Sequence, residues 1–269
     1  MTRPADLAGR TPTKGSLMPR YDFRTPRLFL DIPVGAGAAL ALTREQGNYL
    51  GNVLRLKEGD AVLVFNGRDG EWRARLAGAG KKALRLDITE RVRAQTAPYD
   101  LHYLFAPLKH ARLDYMVQKA VEMGVSRLQP VFTRHTQAER VNLARMRANA
   151  IEAAEQCGIL GVAEIAAPIK LEAFIRDRVP ERLLVFCDED ADVKDPVAAL
   201  SAARGGGIAG PLPVSVLIGP EGGFAVEERA ALMQLPNVIR LALGPRILRA
   251  DTAAVAALTL VQAVLGDWR

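Results

Sequence analysis

Apolar and polar residues alternate along this chain in two rhythms. From position 21 to about 93 the apolar residues come in short, strand-like runs, several of them alternating: Arg27-Leu-Phe-Leu30, Ala61-Val-Leu-Val-Phe65, Glu71-Trp-Arg-Ala-Arg-Leu76 and Ala83-Leu-Arg-Leu-Asp-Ile88. Asn66-Gly67 and Asp69-Gly70 punctuate the second and third runs as turn signals. The pattern predicts a small β-barrel or sandwich. Trp72, Arg73 and Arg75 interleave with apolar neighbours, so one face can be cationic while the other packs, as in barrels that bind RNA. Beyond a linker at residues 94–98 the rhythm changes to alternating strands and helices. Strands are expected at 101–108, 127–132, 183–187, 214–218 and 238–243. Helices are expected at 111–123, with Leu113, Met116, Val117, Ala120 and Val121 forming one apolar stripe, and at 142–156. A last helix, 252–265, is apolar nearly all round, so it is either deeply buried or covered by a partner. Alternating βαβ units imply an α/β domain with a parallel sheet and ligands at the carboxyl ends of its strands. Neither an internal repeat nor a low-complexity tract interrupts either rhythm.

Composition narrows the class. The chain has 269 residues, 49% of them hydrophobic and 25% charged, the profile of a soluble globular protein. No apolar run approaches the ~18 residues that span a bilayer. The first nineteen residues lack the apolar stretch of a signal peptide and read as a flexible extension, with a cytoplasmic location expected. Cys157 and Cys187 with three scattered histidines exclude a disulfide framework and argue against a metal site. Charge is uneven: residues 1–95 hold 17 Lys and Arg against 10 Asp and Glu, whereas residues 96–269 hold 19 against 20. A basic module joined to a neutral one suggests a polyanion binder attached to a domain with other work, although a plain solvated surface gives the same count.

Several motifs fail on inspection. Gly35-Ala-Gly37-Ala-Ala-Leu40 approaches a dinucleotide fingerprint but has Leu40 for the third glycine, lies in the β-rich part and follows Pro33, which removes the case for a nicotinamide oxidoreductase. The run Asp188-Glu-Asp-Ala-Asp192 begins like a calcium loop, yet Val193 and Ala199 stand where Gly and Glu are required, so a solvated turn is expected. No G-x-S-x-G occurs, and neither cysteine has a nearby histidine. Two loops remain. Leu217-Ile-Gly219-Pro220-Glu221-Gly222-Gly223-Phe224 and Leu243-Gly244-Pro245-Arg246-Ile247-Leu248-Arg249-Ala250-Asp251-Thr252 both follow expected strands. Either alone is an ordinary turn; together they form a glycine-rich edge where backbone can approach a ligand.

These two loops, in order with Asn52-Val-Leu-Arg-Leu-Lys57, Gly59-Asp60, Lys109, Lys119, Glu122, Gly124 and Glu152-Ala-Ala-Glu-Gln156, resemble the bacterial 16S rRNA uracil-N3 methyltransferases, the RsmE family of the SPOUT superfamily. The resemblance covers the chain from Arg20 onward. It implies a PUA-like barrel over residues 20–95, a SPOUT-type α/β domain with a trefoil knot over 96–269, S-adenosylmethionine as methyl donor, a homodimer, and a uridine in the decoding region of the small ribosomal subunit as target. It places the cofactor against Leu217, Ile218, Gly219, Pro220, Glu221, Gly222, Gly223, Leu243, Gly244, Ile247, Leu248 and Thr252. RNA contacts are expected from Arg27, Arg55, Arg73, Arg75, Arg85, Lys109 and Arg112. The family pattern usually has Glu where this chain has Asp251 and Arg where it has Ile159. Methylation at N3 needs donor and acceptor in line and a group that removes the N3 proton or stabilises the resulting anion. A guanidinium suits the second task, which makes Arg249 and then Arg246 the catalytic candidates, with phosphate binding as their other possible role. Asp251 is expected to cap the last helix rather than act as a base. The competing class is a non-catalytic RNA-binding or ribosome-assembly protein with a dimerising α/β domain; binding of S-adenosylmethionine separates the two.

Overall fold

The computed structural model describes residues 22–78, 84–109, 111–192, 195–204 and 212–268. The expected extension, residues 1–19, lies outside them. Five strands, β1 (Arg27–Phe29), β2 (Ala39–Ala41), β3 (Ala61–Phe65), β4 (Glu71–Ala77) and β5 (Arg85–Arg93), form one sheet in the order β1-β3-β4-β5-β2. The pair β1–β3 is parallel and the rest antiparallel. Alternation turns Val62, Val64, Ala74, Leu76, Leu86 and Ile88 into a core of their own, closed by Leu28, Leu30, Val34 and Leu50. Between β2 and β3 sit α1 (Arg44–Asn48), started by a reciprocal Thr43–Gln46 capping box, and a π-helical turn, Tyr49–Val53, neither of which the alternation announced.

The second unit is a sheet in the order β12-β10-β11-β6-β7-β8, with β9 also on β7 and every described pair parallel. Its elements are β6 (Leu101–Phe105), α2 (Ala111–Glu122), β7 (Arg127–Phe132), α3 (Leu143–Gln156), β8 (Glu164–Ile165), β9 (Ile169–Lys170), α4 (Leu171–Asp177), β10 (Leu183–Cys187), α5 (Pro196–Ala203), β11 (Val214–Ile218), α6 (Val226–Met233), β12 (Val238–Leu241) and α7 (Ala250–Val264). One apolar layer packs α2, α3, α5 and α7 on one face, and a smaller one packs α4 and α6 on the other. β6 stops short of Leu108 because Pro107 has no N–H for the ladder. β12 ends before Gly244, which turns the chain at φ 103°. The last helix starts at Ala250, two residues earlier than expected, and buries Ala253, Ala254, Ala257, Leu258 and Val261 within its own chain, which accounts for most of its apolar surface. Among the described residues no helix is long and apolar enough to cross a membrane.

A buried ionic joint ties the two units together. Arg27 Nε donates to Glu71 Oε1 at 2.7 Å, and Arg93 Nε donates to Glu71 Oε2 at 2.8 Å. The Arg27 guanidinium reaches the carbonyls of Ala154, Glu155 and Ile159 at the end of α3 and lies 4.2 Å over the Phe65 ring. Arg93 adds the Gly158 carbonyl at 2.9 Å. Arg27, expected on an RNA-binding surface, is therefore corrected to an interior residue: its side chain is 4% exposed, and the carbonyls at the end of a helix and a buried glutamate engage Nε, Nη1 and Nη2.

Candidate active site

β12, β10 and β11 run parallel and side by side, so their carboxyl ends deliver three loops to one place. A cavity of about 210 Å³ opens there between Cys187, Asp188 and Glu189 after β10, Ile218 to Glu221 with Gly223 and Phe224 after β11, and Leu241, Leu243 to Leu248, Ala250 and Ala253 around β12 and α7. The two glycine-rich loops thus face each other, as their joint presence suggested. Of the expected cofactor residues, Leu217, Gly222 and Thr252 do not line the cavity. Leu217 points to the opposite core beside Phe224, since strand side chains alternate. Cys187 to Glu189 escaped sequence reasoning although they end a strand at the same edge, which was the available signal.

The glycines answer mainly to the protein itself. A Cβ at Gly219 would sit 3.0 Å from the Phe224 ring, and one at Gly222 would sit 3.3 Å from His135 Cβ. The Gly223 N–H closes the turn onto the Pro220 carbonyl at 2.9 Å with φ 66°. His135 Nδ1 donates to the carbonyls of Gly222 and Gly223 at 3.0 and 3.2 Å, bracing that turn from the β7–α3 connection. Gly244, by contrast, has open space around its absent Cβ and is needed for its backbone angle.

Arg112 joins the two loops. Its Nη1 donates to Glu221 Oε1 at 2.7 Å, while Nε and Nη2 donate to Asp251 Oδ2 and Oδ1 at 3.2 and 3.1 Å. Expected as an RNA contact, Arg112 is committed to this clamp. The Arg112 hydrogen bond, opposed by partial burial and aided by the Thr252 N–H, holds Asp251 below the usual carboxylate range. Asp251 is not the N-cap: that position is Arg249, and Asp251 lies inside the first turn. On the cavity's other side Asp188 is buried rather than solvated. Burial raises its pKa, yet hydrogen bonds from Arg229 and Arg240, at 2.6 to 3.0 Å, outweigh it and leave Asp188 below the ordinary value. The Asp188–Asp190 cluster is therefore part of an ion-pair network. Burial, helped by Asp188, pushes the Cys187 thiol up to about 12, so it stays neutral beside the cavity.

Arg246 is exposed and lines the cavity, whereas Arg249 is exposed next to it without being a lining residue; neither side chain makes a hydrogen bond or ion pair among the described residues. Ile247 between them is 89% exposed. The remaining expected RNA residues divide in two. Arg73 pairs with Glu90 at 3.0 Å, Arg85 with Asp87 at 2.9 Å, and Arg75 donates to the Gly59 carbonyl at 2.9 Å, so the β4–β5 face largely neutralises itself. Arg55 and Lys109 are exposed and unpaired among the described residues, and Arg55 holds a left-handed φ of 57° directly after the π-helical turn. A non-glycine residue there costs about 1–2 kcal/mol and recurs at functional sites.

An apolar floor from Ile218, Leu241, Leu243, Leu248 and Ala253, with backbone amides and carbonyls on both sides and carboxylates of Glu189 and Glu221 near the rim, fits a nucleoside that carries a positive charge. Comparison with known proteins agrees. Residues 95–262 match the family model of an RNA methyltransferase domain, and residues 42–89 match that of an RNA methyltransferase PUA domain. The chain is 30% identical over 234 residues to the ribosomal RNA small subunit methyltransferase E of Synechocystis, covering 85% of this chain and 74% of that one. A putative methyltransferase from Legionella pneumophila, solved in complex with the cofactor SAM, superposes with a TM-score of 0.79 at 30% identity, covering 91% of this chain and 99% of that one. The ribosomal RNA small subunit methyltransferase E from Neisseria gonorrhoeae, solved with S-adenosyl methionine, gives 0.78 at 26% identity, covering 91% and 100%.

Proposed function

Because this chain belongs to the RNA methyltransferase domain family, and within it to the ribosomal RNA small subunit methyltransferases E, we propose that it methylates N3 of one uridine in the decoding region of 16S rRNA, on the assembled small subunit, using S-adenosylmethionine. The observation that carries the reading is a cavity built from two glycine-rich loops with Arg246 on its lining and Arg249 exposed between lining residues Leu248 and Ala250, both side chains without a partner among the described residues. S-adenosylmethionine, when bound, supplies an electrophilic methyl group on a sulfonium. The cavity's glycine loops and apolar floor would hold its nucleoside. Arg249 donates hydrogen bonds to a uracil carbonyl oxygen as negative charge grows there, lowering the affinity of N3 for its proton, which leaves to water. Asp251 is a poor acceptor for that proton, since its clamped carboxylate is a weaker base than a free one.

The same proposal includes a cytoplasmic homodimer, a trefoil knot in the α/β unit, and domain limits at 20–95 and 96–269. A hollow between α2 and α7, lined by Tyr115, Val255 and Ala256 beside Arg112 and Asp251, offers the partner surface, with Tyr115 47% exposed. Single-turnover methyl transfer with labelled donor to small subunits and to free 16S rRNA, followed by mapping of the modified base, tests the reading. Methylation at N3 of a single uridine supports it; a protein that binds subunits without transferring methyl overturns it in favour of a non-catalytic assembly role.

A further inference from the structure

A second hollow lies on the carboxyl edge of the same sheet, and it is wider than the cavity. It is a cleft of about 870 Å³ above β6 and β7, between the stretch that ends at Lys109, the start of α2, the β7–α3 connection and the first turn of α3. β6 is the neighbour of β11 in the sheet, so cleft and cavity are adjacent. The β7–α3 connection separates them: on one side His135 braces the glycine turn at Gly222 and Gly223, and on the other Gln137 to Val141 line the cleft. Further along α3, Arg147 pairs with Asp31 after β1 at 3.1 Å, which sets the barrel against the same helix. The cleft therefore lies along α3 between the barrel and the cofactor loops.

Its chemistry is divided between floor and rim. Leu108, Leu113, Val141, Leu143 and Met146 make an apolar floor large enough for a base and ribose. At the rim, Lys109 and Arg140 are exposed and neither has a hydrogen-bonding or ionic partner among the described residues. Asp114, the acid nearest the floor, is already neutralised by Arg145 at 2.5 to 3.0 Å and accepts from Asn149 at 2.7 Å. Glu139 is the one lining carboxylate without a cationic partner among the described residues. Two free cations over an apolar floor match a nucleotide, with phosphate at the rim and base below. An apolar peptide would leave both cations unanswered.

We infer that this cleft seats a nucleotide of single-stranded rRNA beside the target uridine, with Lys109 and Arg140 on its phosphate; the inference rests on the reading that rRNA is the substrate. Lys109→Ala and Arg140→Gln are expected to weaken binding of full-length protein to small subunits about three- to tenfold, each lowering the salt slope of log K by about 0.7–0.9. Glu139→Gln should tighten binding, and calorimetric affinity for S-adenosylhomocysteine should stay within about twofold in all three, as expected of contacts made outside the cavity. A short single-stranded RNA oligonucleotide serves as a second probe for the same variants. Unchanged affinity and slope on both RNAs, with wild-type methylation intact, overturns the cleft and leaves the enzyme reading standing. Wild-type protein that fails to methylate subunits, while oligonucleotide binding still depends on Arg140 and Lys109, overturns the enzyme reading and supports the cleft. Tight binding of a peptide in competition with the oligonucleotide, insensitive to both cations, also overturns it.

Discussion

Arg112→Ala tests whether the two cofactor loops are held as one unit. The substitution removes three hydrogen bonds, one to Glu221 at 2.7 Å and two to Asp251 at 3.1 and 3.2 Å. The Arg112 side chain is 37% exposed, and its partners are 48% and 18% exposed, so both pairs are partly screened. Exposed pairs contribute about 0.2–1 kcal/mol each, and the two-pronged, better covered Asp251 pair belongs at the upper end. The clamp is thus worth about 1–2 kcal/mol, or roughly a five- to thirtyfold loss in affinity if the cofactor must reorder the loops itself. Isothermal calorimetry with S-adenosylhomocysteine at low and high salt reads it directly. Wild-type affinity should fall toward that of the variant as salt screens the pairs. Arg112→Lys should lie between, because an ammonium keeps the charge but not the fork. A double-mutant cycle with Asp251→Asn isolates the coupling. If Arg112→Ala binds the ligand as wild type does at both salts, the clamp has no role; if it then loses RNA affinity instead, Arg112 is the RNA contact that its position in the sequence suggested.

Arg249→Ala should lower single-turnover methyl transfer by about 10²-fold or more, with cofactor affinity changed less than about threefold; equal losses in both would reduce it to a cofactor ligand. Arg27→Ala leaves buried Glu71 with Arg93 alone and strips the carbonyls of Ala154, Glu155 and Ile159 of a donor, and should cost about 2–4 kcal/mol in denaturant unfolding, whereas a loss confined to RNA affinity would restore Arg27 to the surface. Gly219→Ala forces the Phe224 ring aside and should lower the ligand-free melting temperature, at about 1–3 kcal/mol of overpacking; an unchanged ligand-free melt with lost cofactor binding would show that the Cβ meets the ligand instead. His102 is half-buried, and burial, then Arg182, lower its pKa from 6.5 to about 4 despite Asp100. The unfolded chain takes up a proton below pH 6.5 that the fold accepts only near 4, so stability falls with acid across that window. Discounted for partial exposure, this is about 1–2 kcal/mol. His102→Gln should flatten the dependence in urea melts at pH 7, 5.5 and 4.5, and a slope equal to wild type would assign it to other groups.

Much of the architecture is legible in the pattern along the chain, because strand and helix periods are local. The alternation in 71–76 and the stripe from Leu113 to Val121 each report which side of one element is buried, and the unbroken apolar run 61–65 marks a strand buried on both faces. The glycine-rich edge was legible for a related reason, since two loops following strands of one parallel sheet must open on the same side. Short elements escaped: β8 and β9 have two residues each, and the π-helical turn has no apolar period.

What the chain by itself determined, then, was its longer helices and most of its longer strands, its basic and neutral halves, and the loops at which a ligand can sit. The tertiary structure decided the work of individual charges. Arg27 and Arg112 look like any surface arginines in sequence, but their partners lie 44 and 139 residues away, at Glu71 and Asp251, and only folding brings them together. Arg73 and Arg85 were neutralised by cross-strand or neighbouring acids in the same way, while Arg55, Lys109, Arg246 and Arg249 were left without a partner among the described residues. A charge acts through what lies within a few ångströms of it, and that neighbourhood is set by long-range contacts that no local period encodes.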